Sequence, residues 1–296
     1  MKLKGLKSKN ILNVLKRNLP LIILVLILII VTVVSIKPRK YILSNDNYSP
    51  ELNPPLSVSR YLQSPAWRGY RVLGFASDSE QADIFRSIGF SVLDLFLPSW
   101  SLSQIFSFFC LFVGTISMAY LSKCFVSDFL TKKHQGLIFF LSGIIYLTTL
   151  WTAWVFNFNM MPYISQYGFL PLLLLSTYLL LKKWNPKTLI FFLISLILFT
   201  STCVISTLFF VDVVLFVFFT IYFGILHKAK SKHVIASIGI FLISQIFWLI
   251  PFVHYTYTNS RGIIESYTNR AITANTIDLE AQMITAGNSA RLYTRL

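Results

Sequence analysis

Long apolar runs alternate with short polar breaks along this chain, and the alternation predicts a membrane protein built from α-helices. A helix rises 1.5 Å per residue, so about 20 apolar residues cross a bilayer core about 30 Å thick. Seven runs approach that length, at about 19–36, 102–122, 136–156, 167–181, 188–200, 204–226 and 234–253. The pattern predicts an all-α integral membrane protein with about seven transmembrane helices and a long first extracytoplasmic loop.

One apolar stretch is long enough to require a decision between one helix and two. As a single helix, Leu189–Leu226 would measure about 57 Å, nearly twice the thickness of the bilayer core. The cluster Thr200-Ser201-Thr202 lies near its middle and offers a turn. A turn there also brings the basic breaks at 182–187 and 228–232 to the same side of the membrane. The sequence therefore predicts two spans.

Composition supports the membrane class and the charge supports an orientation. Only 12% of the residues are charged and 55% are hydrophobic, whereas an ordinary soluble domain has about 25% charged residues. The net charge of +15 arises mainly from a basic N-terminus and three short breaks between spans. The basic residues concerned are Lys2, Lys4, Lys7, Lys9, Lys16, Arg17, Lys123, Lys132, Lys133, Lys182, Lys183, Lys187, Lys228, Lys230 and Lys232.

Short basic breaks of this kind are typical of cytoplasmic loops. We therefore expect a multi-pass protein of the plasma membrane with a cytoplasmic N-terminus. We do not expect a nucleic-acid partner, because no recognition motif accompanies the charge. Lys37, Arg39 and Lys40 are exceptions, since they follow the first span on its outer side.

These assignments divide the chain into three parts. Residues 1–18 form a cytoplasmic basic N-terminus, and residues 19–253 form the membrane module with its outer loop at 37–101. Within that loop, Gln81–Pro98 has apolar residues at helical spacing and predicts one or two helices along the membrane surface. Residues 254–296 form a polar extracytoplasmic tail, which we interpret as the start of a further C-terminal region.

The most informative polar stretch begins soon after the first span. Asp46 lies about ten residues beyond the membrane exit, with Asn45, Asn47, Asn53 and Glu51 close by. A carboxylate at that level can remove a proton from an acceptor hydroxyl or bind a divalent cation, and amide side chains suit sugar hydroxyls. The alternative is that Asn, Asp and Pro here form an ordinary turn.

A second stretch combines aromatic rings with arginines. Trp67 and Tyr70 can stack on a sugar face, while Arg68 and Arg71 can pair with a phosphate or pyrophosphate. The alternative is an anchor at the membrane interface, with rings and arginine stems at the head-group level.

Polar residues near the spans are fewer. Asp212 is the one acidic residue deep inside a predicted span, so we expect it to face the bundle interior, with Ser206 or Thr207 as hydrogen-bond partner. A functional and a structural role are both open. Asn157, Asn159 and Gln166 are assigned to a short outer loop, as a rim over the site or as plain loop polarity. The three cysteines, Cys110, Cys124 and Cys203, are interpreted as packing residues.

The order of these features resembles a known family. A short basic N-terminus, one helix and an outer loop opening with an acidic residue resemble the start of the glycosyltransferase-C (GT-C) superfamily. The stretch Asn45–Pro54, followed by Trp67–Gly74, resembles the N-terminal membrane module of α-(1→3)-arabinofuranosyltransferase-like proteins.

The resemblance implies inverting transfer of a sugar from a polyprenyl-phosphate donor to a cell-envelope glycan or protein acceptor, beside membrane lipids. It implies that Asp46 is the general base, with Mg²⁺ or Mn²⁺ as the metal if one is bound. Asn45, Asn47, Glu51, Trp67, Arg68, Tyr70 and Arg71 are the candidate substrate-binding residues. Two other hypotheses stay open: a lipid or polysaccharide transporter (flippase), and a non-catalytic subunit of envelope assembly.

Overall fold

The chain folds into a bundle of long helices with a small helical segment at one end. The computed structural model describes residues 2–41, 52–63, 67–68, 75–76, 79–127, 130–158 and 160–265. Within them, the α-helices are α1 Lys2–Ser35, α2 Pro54–Gln63, α3 Ile84–Leu93, α4 Ser99–Val126, α5 Lys132–Thr148, α6 Leu150–Phe158, α7 Met161–Lys182, α8 Pro186–Phe199, α9 Ser206–Leu226 and α10 Ser231–Glu265. Two-residue strands Trp67–Arg68 (β1) and Phe75–Ala76 (β2) pair antiparallel.

The helices confirm the prediction of a multi-pass, all-α membrane protein. Six are long and apolar enough to cross a bilayer, and they contain 18 to 28 residues in their apolar parts. Helices α5 and α6 meet at an angle of 47° and together form a seventh candidate span. The sequence predicts one span at 136–156, and the bend divides it near Thr149. Helix α10 continues to Glu265, through the first residues of the predicted tail.

Successive long helices run in opposite directions, which gives the bundle two distinct ends. The end where α1 finishes and α4 and α7 begin is called the loop face. The opposite end carries Lys123, Lys182, Lys183 and Lys228 and is called the lysine face. The positive-inside pattern predicts that the lysine face is cytoplasmic.

The long apolar stretch in the second half of the chain is two helices, as predicted. A short 3-10 helix, Thr200–Val204, separates α8 from α9 and is called the hairpin 3-10 helix. Its first two hydroxyls, Thr200 Oγ1 and Ser201 Oγ, donate to the carbonyls of Ile197 and Leu198, at 2.8 and 3.0 Å. Ser and Thr side chains thus bond backbone carbonyls that a helix leaves open at its C-terminus.

Glycines bring α4 and α7 into close contact. A Cβ atom on Gly168 would lie 2.8 Å from Cys110 Cα, and a Cβ on Gly114 would collide with the Tyr167 carbonyl. Small residues allow the backbones of membrane helices to approach this closely. The hydroxyls of Thr115 and Tyr167 bond at 3.1 Å in the same interface. The two helices thereby form a fixed centre for the other spans.

The outer segment folds onto the loop face. Asn53 Oδ1 accepts from the Leu56 amide at 3.1 Å and caps the start of α2, as asparagine commonly does at helix N-termini. A further 3-10 helix, Ser79–Asp83, packs on the hairpin 3-10 helix and on α10, and it leads directly into α3. The helix predicted within Gln81–Pro98 is α3, while its position along a membrane surface stays a prediction.

Candidate functional site

A cavity of about 680 Å³ lies between α1, α4, α5 and α6 near the loop face. This volume falls within the range of ligand pockets, about 300–1,000 Å³. The cavity is open on one side, and its walls change from apolar to polar. The apolar lining consists of Ile27, Val31, Val34, Phe108, Leu111, Ile144, Leu147, Ala153 and Phe156. The polar lining consists of Ser35, Lys37, Gln104, Ser107, Thr148, Thr149, Thr152 and Asn157.

The chain leaves α1 through a tight turn at the mouth of this cavity. In the basic turn, Lys37–Lys40, the Lys40 amide donates to the Lys37 carbonyl at 3.2 Å. Arg39 has a φ of 59°, in the left-handed region that residues other than glycine seldom adopt. Such a backbone persists only where the surroundings hold it, and it is found at ligand sites more often than elsewhere.

Gln104, from the first turns of α4, holds the basic turn in place. Its Oε1 accepts from the Lys37 amide at 2.9 Å. Its Nε2 donates to the Lys37 carbonyl at 3.0 Å and to the Lys40 carbonyl at 2.9 Å. The Gln104 side chain is 2% exposed, so these bonds are shielded from water. One buried amide thus fixes both ends of a turn that carries three basic residues.

Two hydroxyls of the cavity are already hydrogen-bonded within the protein, whereas Lys37 has no ion pair in the described ranges. The Thr152 hydroxyl donates to the Tyr146 carbonyl at 2.6 Å, and Ser107 donates to the Ser103 carbonyl at 2.8 Å. Their hydrogens are therefore used inside the protein. The Lys37 ammonium forms no ion pair with any carboxylate in the described ranges. A cavity with an apolar floor and a cationic rim suits an amphipathic anion.

Most residues predicted for the catalytic loop lie outside the described residues. This applies to Asn45, Asp46, Asn47, Glu51, Tyr70 and Arg71, so their roles stay predictions. Trp67 and Arg68 are described through their backbones only, and they pair with Ala76 and Phe75. The aromatic and basic stretch therefore begins in β1, and its remaining residues lie outside the described ones.

Asp212 lies inside the bundle, on α9, with an exposed fraction of 0%. Its partner differs from the expected ones, because Gln166 Nε2 donates to Asp212 Oδ1 at 2.8 Å, and neither Ser206 nor Thr207 bonds the carboxylate. The assignment of Gln166 to an outer loop was also wrong. Helix α7 begins at Met161 with Pro162 in its first turn, a position that proline favours, so Gln166 is already helical.

A second buried acid was not recognised as part of an ion pair from the sequence. Asp83 is 3% exposed, and Arg86 donates to both of its oxygens, at 2.7 and 2.6 Å. Burial raises the pKa of the Asp83 carboxyl, and the charge of Arg86 opposes this effect. The three-residue spacing across the start of α3 was the available signal, since it places the two side chains on one helix face.

Metal binding has no support in the described part of the chain. No group of three or more His, Cys, Asp or Glu side chains comes together there. The residues that line the α1–α4–α5–α6 cavity include no carboxylate or imidazole. Asp46, the predicted metal ligand, lies outside the described residues.

Comparisons with known proteins add no relative to this description. No family model matches the sequence, and no curated protein or solved structure is significantly similar to it. The resemblance to the GT-C superfamily therefore stays an expectation from the sequence.

Proposed function

We propose that this chain is a GT-C-type membrane glycosyltransferase module that takes a sugar from a polyprenyl-phosphate donor. The acceptor is a glycan or protein of the cell envelope, and the reaction takes place at the outer face of the plasma membrane. The observation that carries the proposal is the α1–α4–α5–α6 cavity with the basic turn at its mouth. Its apolar lining suits a polyprenyl chain, and its cationic rim suits the phosphate to which that chain is joined.

The basic turn also gives a reason for the exception to the positive-inside pattern. Three basic residues at the outer end of α1 disfavour the predicted orientation. Of the three, Lys37 lines the cavity, which accounts for it as an anion-binding group instead. Asp46 follows Tyr41 by five residues, a length of chain that reaches at most about 18 Å. A donor held at the basic turn would therefore lie within reach of the predicted base.

In the proposed reaction, Asp46 removes the proton from an acceptor hydroxyl. The acceptor oxygen then forms a bond to the anomeric carbon of the sugar from the side opposite the phosphate. The bond from the anomeric carbon to the phosphate oxygen breaks, and the lipid phosphate leaves with the electron pair, which inverts the configuration. Lys37 stabilises the charge that develops on this phosphate. No step is assigned to a metal, because the described cavity residues supply no ligand set for one.

The test is sugar transfer in membranes that contain the full chain, with radiolabelled polyprenyl-phosphate sugars as donors and label in the glycan fraction as the readout. Asp46→Asn is expected to lose about 10²- to 10⁴-fold in rate, as expected for loss of a general base. Lys37→Ala is expected to raise the donor concentration needed for half-maximal rate, because it removes a charge beside the phosphate. Lys187→Ala, at the lysine face, is the matched control and is expected to behave as wild type.

The outcomes separate the parts of the proposal. Full activity in Asp46→Asn would remove Asp46 from the mechanism and leave the turn interpretation. Equal donor dependence in Lys37→Ala and Lys187→Ala would remove the basic turn from the donor site. If the wild-type protein transfers none of a broad panel of donor sugars, the transporter and the non-catalytic assembly hypotheses take precedence.

A further inference from the structure

The carboxylate of Asp212 is buried in the bundle, and only one of its two oxygens is hydrogen-bonded among the described residues. The residue follows the start of α9 at Ser206 by six positions, about 9 Å along the helix. Gln166 Nε2 donates to Oδ1 at 2.8 Å. The other oxygen, Oδ2, is equally buried and has no hydrogen-bond partner among the described residues. A buried carboxylate oxygen therefore has no polar partner among the described residues.

The elements packed against α9 bring no positive charge to this carboxylate. Helix α7 contributes the amide of Gln166. The charged residues within α7 and α10 lie near the ends of these helices and are Lys182, Lys232, Arg261 and Glu265. The hairpin 3-10 helix, which also packs on α9, contributes the buried Cys203 thiol. Cys203 Sγ in turn approaches Gln245 Oε1 on α10 at 3.5 Å. The surroundings are thus polar, but they contain no counter-charge.

A bare negative charge in such a place is strongly unfavourable. An ionised side chain at the centre of a membrane helix costs at least about 2.5–3.5 kcal/mol, and a buried unpaired charge costs several. Protein groups that bury such a charge pair it or neutralise it. The hydroxyl of Thr202, next to Cys203 in the chain and 0% exposed, is a second buried oxygen without a partner among the described residues.

We propose that Asp212 is a binding site for one proton, held at Oδ2, which neutralises the buried carboxylate. Gln166 orients the carboxylate by fixing Oδ1, which leaves Oδ2 directed at the bound proton. This site lies between α7 and α9 and is separate from the cavity of the proposed transferase. It does not depend on sugar transfer, and it would exist equally in a transporter or an assembly subunit.

The experiment follows the thermal unfolding midpoint of the full chain, purified in detergent and placed in lipid nanodiscs. One series varies pH in choline chloride, and a second replaces choline by Na⁺, K⁺ or Li⁺ at constant ionic strength and pH. We expect the wild-type midpoint to rise with proton concentration and to be the same in the four salts. A midpoint that rises instead with one of the metal ions would overturn the assignment of a proton.

Asp212→Asn keeps the size of the side chain and an oxygen for Gln166, but it removes the charge. Its midpoint is expected to rise less with proton concentration than that of the wild type, because the contribution of Asp212 is lost. Asp83→Asn, at the other buried acid, is the matched control and is expected to keep the dependence. Parallel changes in the wild type and in Asp212→Asn, or no dependence in the wild type, would overturn the proposal.

A direct measurement on the wild-type protein covers the case in which Asp212→Asn does not fold. Infrared spectra are expected to show a protonated carboxyl band that is lost at high pH. Absence of this band would overturn the proposal without any variant.

Discussion

The two acids in the described structure that are most deeply buried, Asp83 and Asp212, lie in different surroundings. Asp83 belongs to the outer segment, and Arg86 donates to both of its oxygens at 2.6 and 2.7 Å. Asp212 belongs to a span and receives one bond from an uncharged amide. Their exposed fractions are 3% and 0%, so burial does not distinguish them. The difference lies in the charge of the partner.

This difference separates a structural acid from one that needs a ligand. The guanidinium of Arg86 also lies over the rings of Phe90 and Phe106, at 5.5 and 5.2 Å from their centroids. The pair and the rings together join the start of α3 to α4, and the charge of Asp83 is balanced within the segment. Asp212 has no such balance among the described residues. A proton from outside the protein must supply it.

The largest effect is expected when the ion pair between Asp83 and Arg86 is broken. Arg86→Met keeps much of the apolar stem but leaves the Asp83 carboxylate buried without its counter-charge. Breaking a buried pair in this way costs about 3–5 kcal/mol. We therefore expect a loss of that size in the free energy of unfolding, measured by denaturant unfolding in detergent at neutral pH.

The control is the double variant Asp83→Asn with Arg86→Met, which removes both charges. It is expected to recover most of the loss, because a neutral pair needs no counter-charge. Equal losses in the single and the double variant would show that Arg86 acts through its contacts with the rings instead.

An intermediate effect is expected at Asp212. Gln166→Leu removes the donor to Oδ1 and is expected to lower the free energy of unfolding by about 1–3 kcal/mol. The loss is larger for an ionised carboxylate than for a neutral one. The measurement is the same unfolding experiment, repeated in the Asp212→Asn background to give the coupling energy. Additive losses would show that the charge of Asp212 adds nothing to the bond from Gln166, and the comparison of the two acids would then fail.

The sequence predicted the helices well because membrane spans are specified by local composition. Each span needs its own apolar run, and the break at Thr200–Val204 follows from a length that no bilayer accommodates. Gln166 was placed wrongly because the polar residues around Asn157 and Pro162 are typical of a connection. In the structure Gln166 is helical and bonds the buried Asp212, a contact that local composition does not reveal.

The candidate site was less predictable because its parts are distant in the chain. The basic turn was visible only as an exception to the charge pattern. The position of this turn depends on Gln104, which bonds Lys37 from 67 residues further along the chain. Asp212 and Gln166 are 46 positions apart, on helices that are not consecutive. Pairings of this kind depend on how the helices pack, and one sequence does not specify that packing.

The smallest expected effect concerns a buried contact with no charge at all. Ser176 on α7 and Ser195 on α8 are both 0% exposed, and their hydroxyl oxygens lie 2.7 Å apart. Each also lies within bonding distance of a carbonyl of its own helix, Leu173 or Phe192, at 2.9 and 2.7 Å. Either hydroxyl therefore keeps a partner when the other is removed. Hydrogen bonds between membrane helices contribute about 0.6 kcal/mol on average, so Ser176→Ala is expected to cost about that much.

The same unfolding measurement gives the coupling energy between Ser176→Ala and Ser195→Ala. Three buried contacts can then be compared: an ion pair, a carboxylate with an amide, and two hydroxyls. If charge determines what a buried polar contact contributes here, this coupling is the smallest of the three. A value as large as that of Asp83 with Arg86 would show that burial alone sets the energy. In that case the missing counter-charge at Asp212 would no longer require a proton, because burial would penalise charged and neutral groups alike.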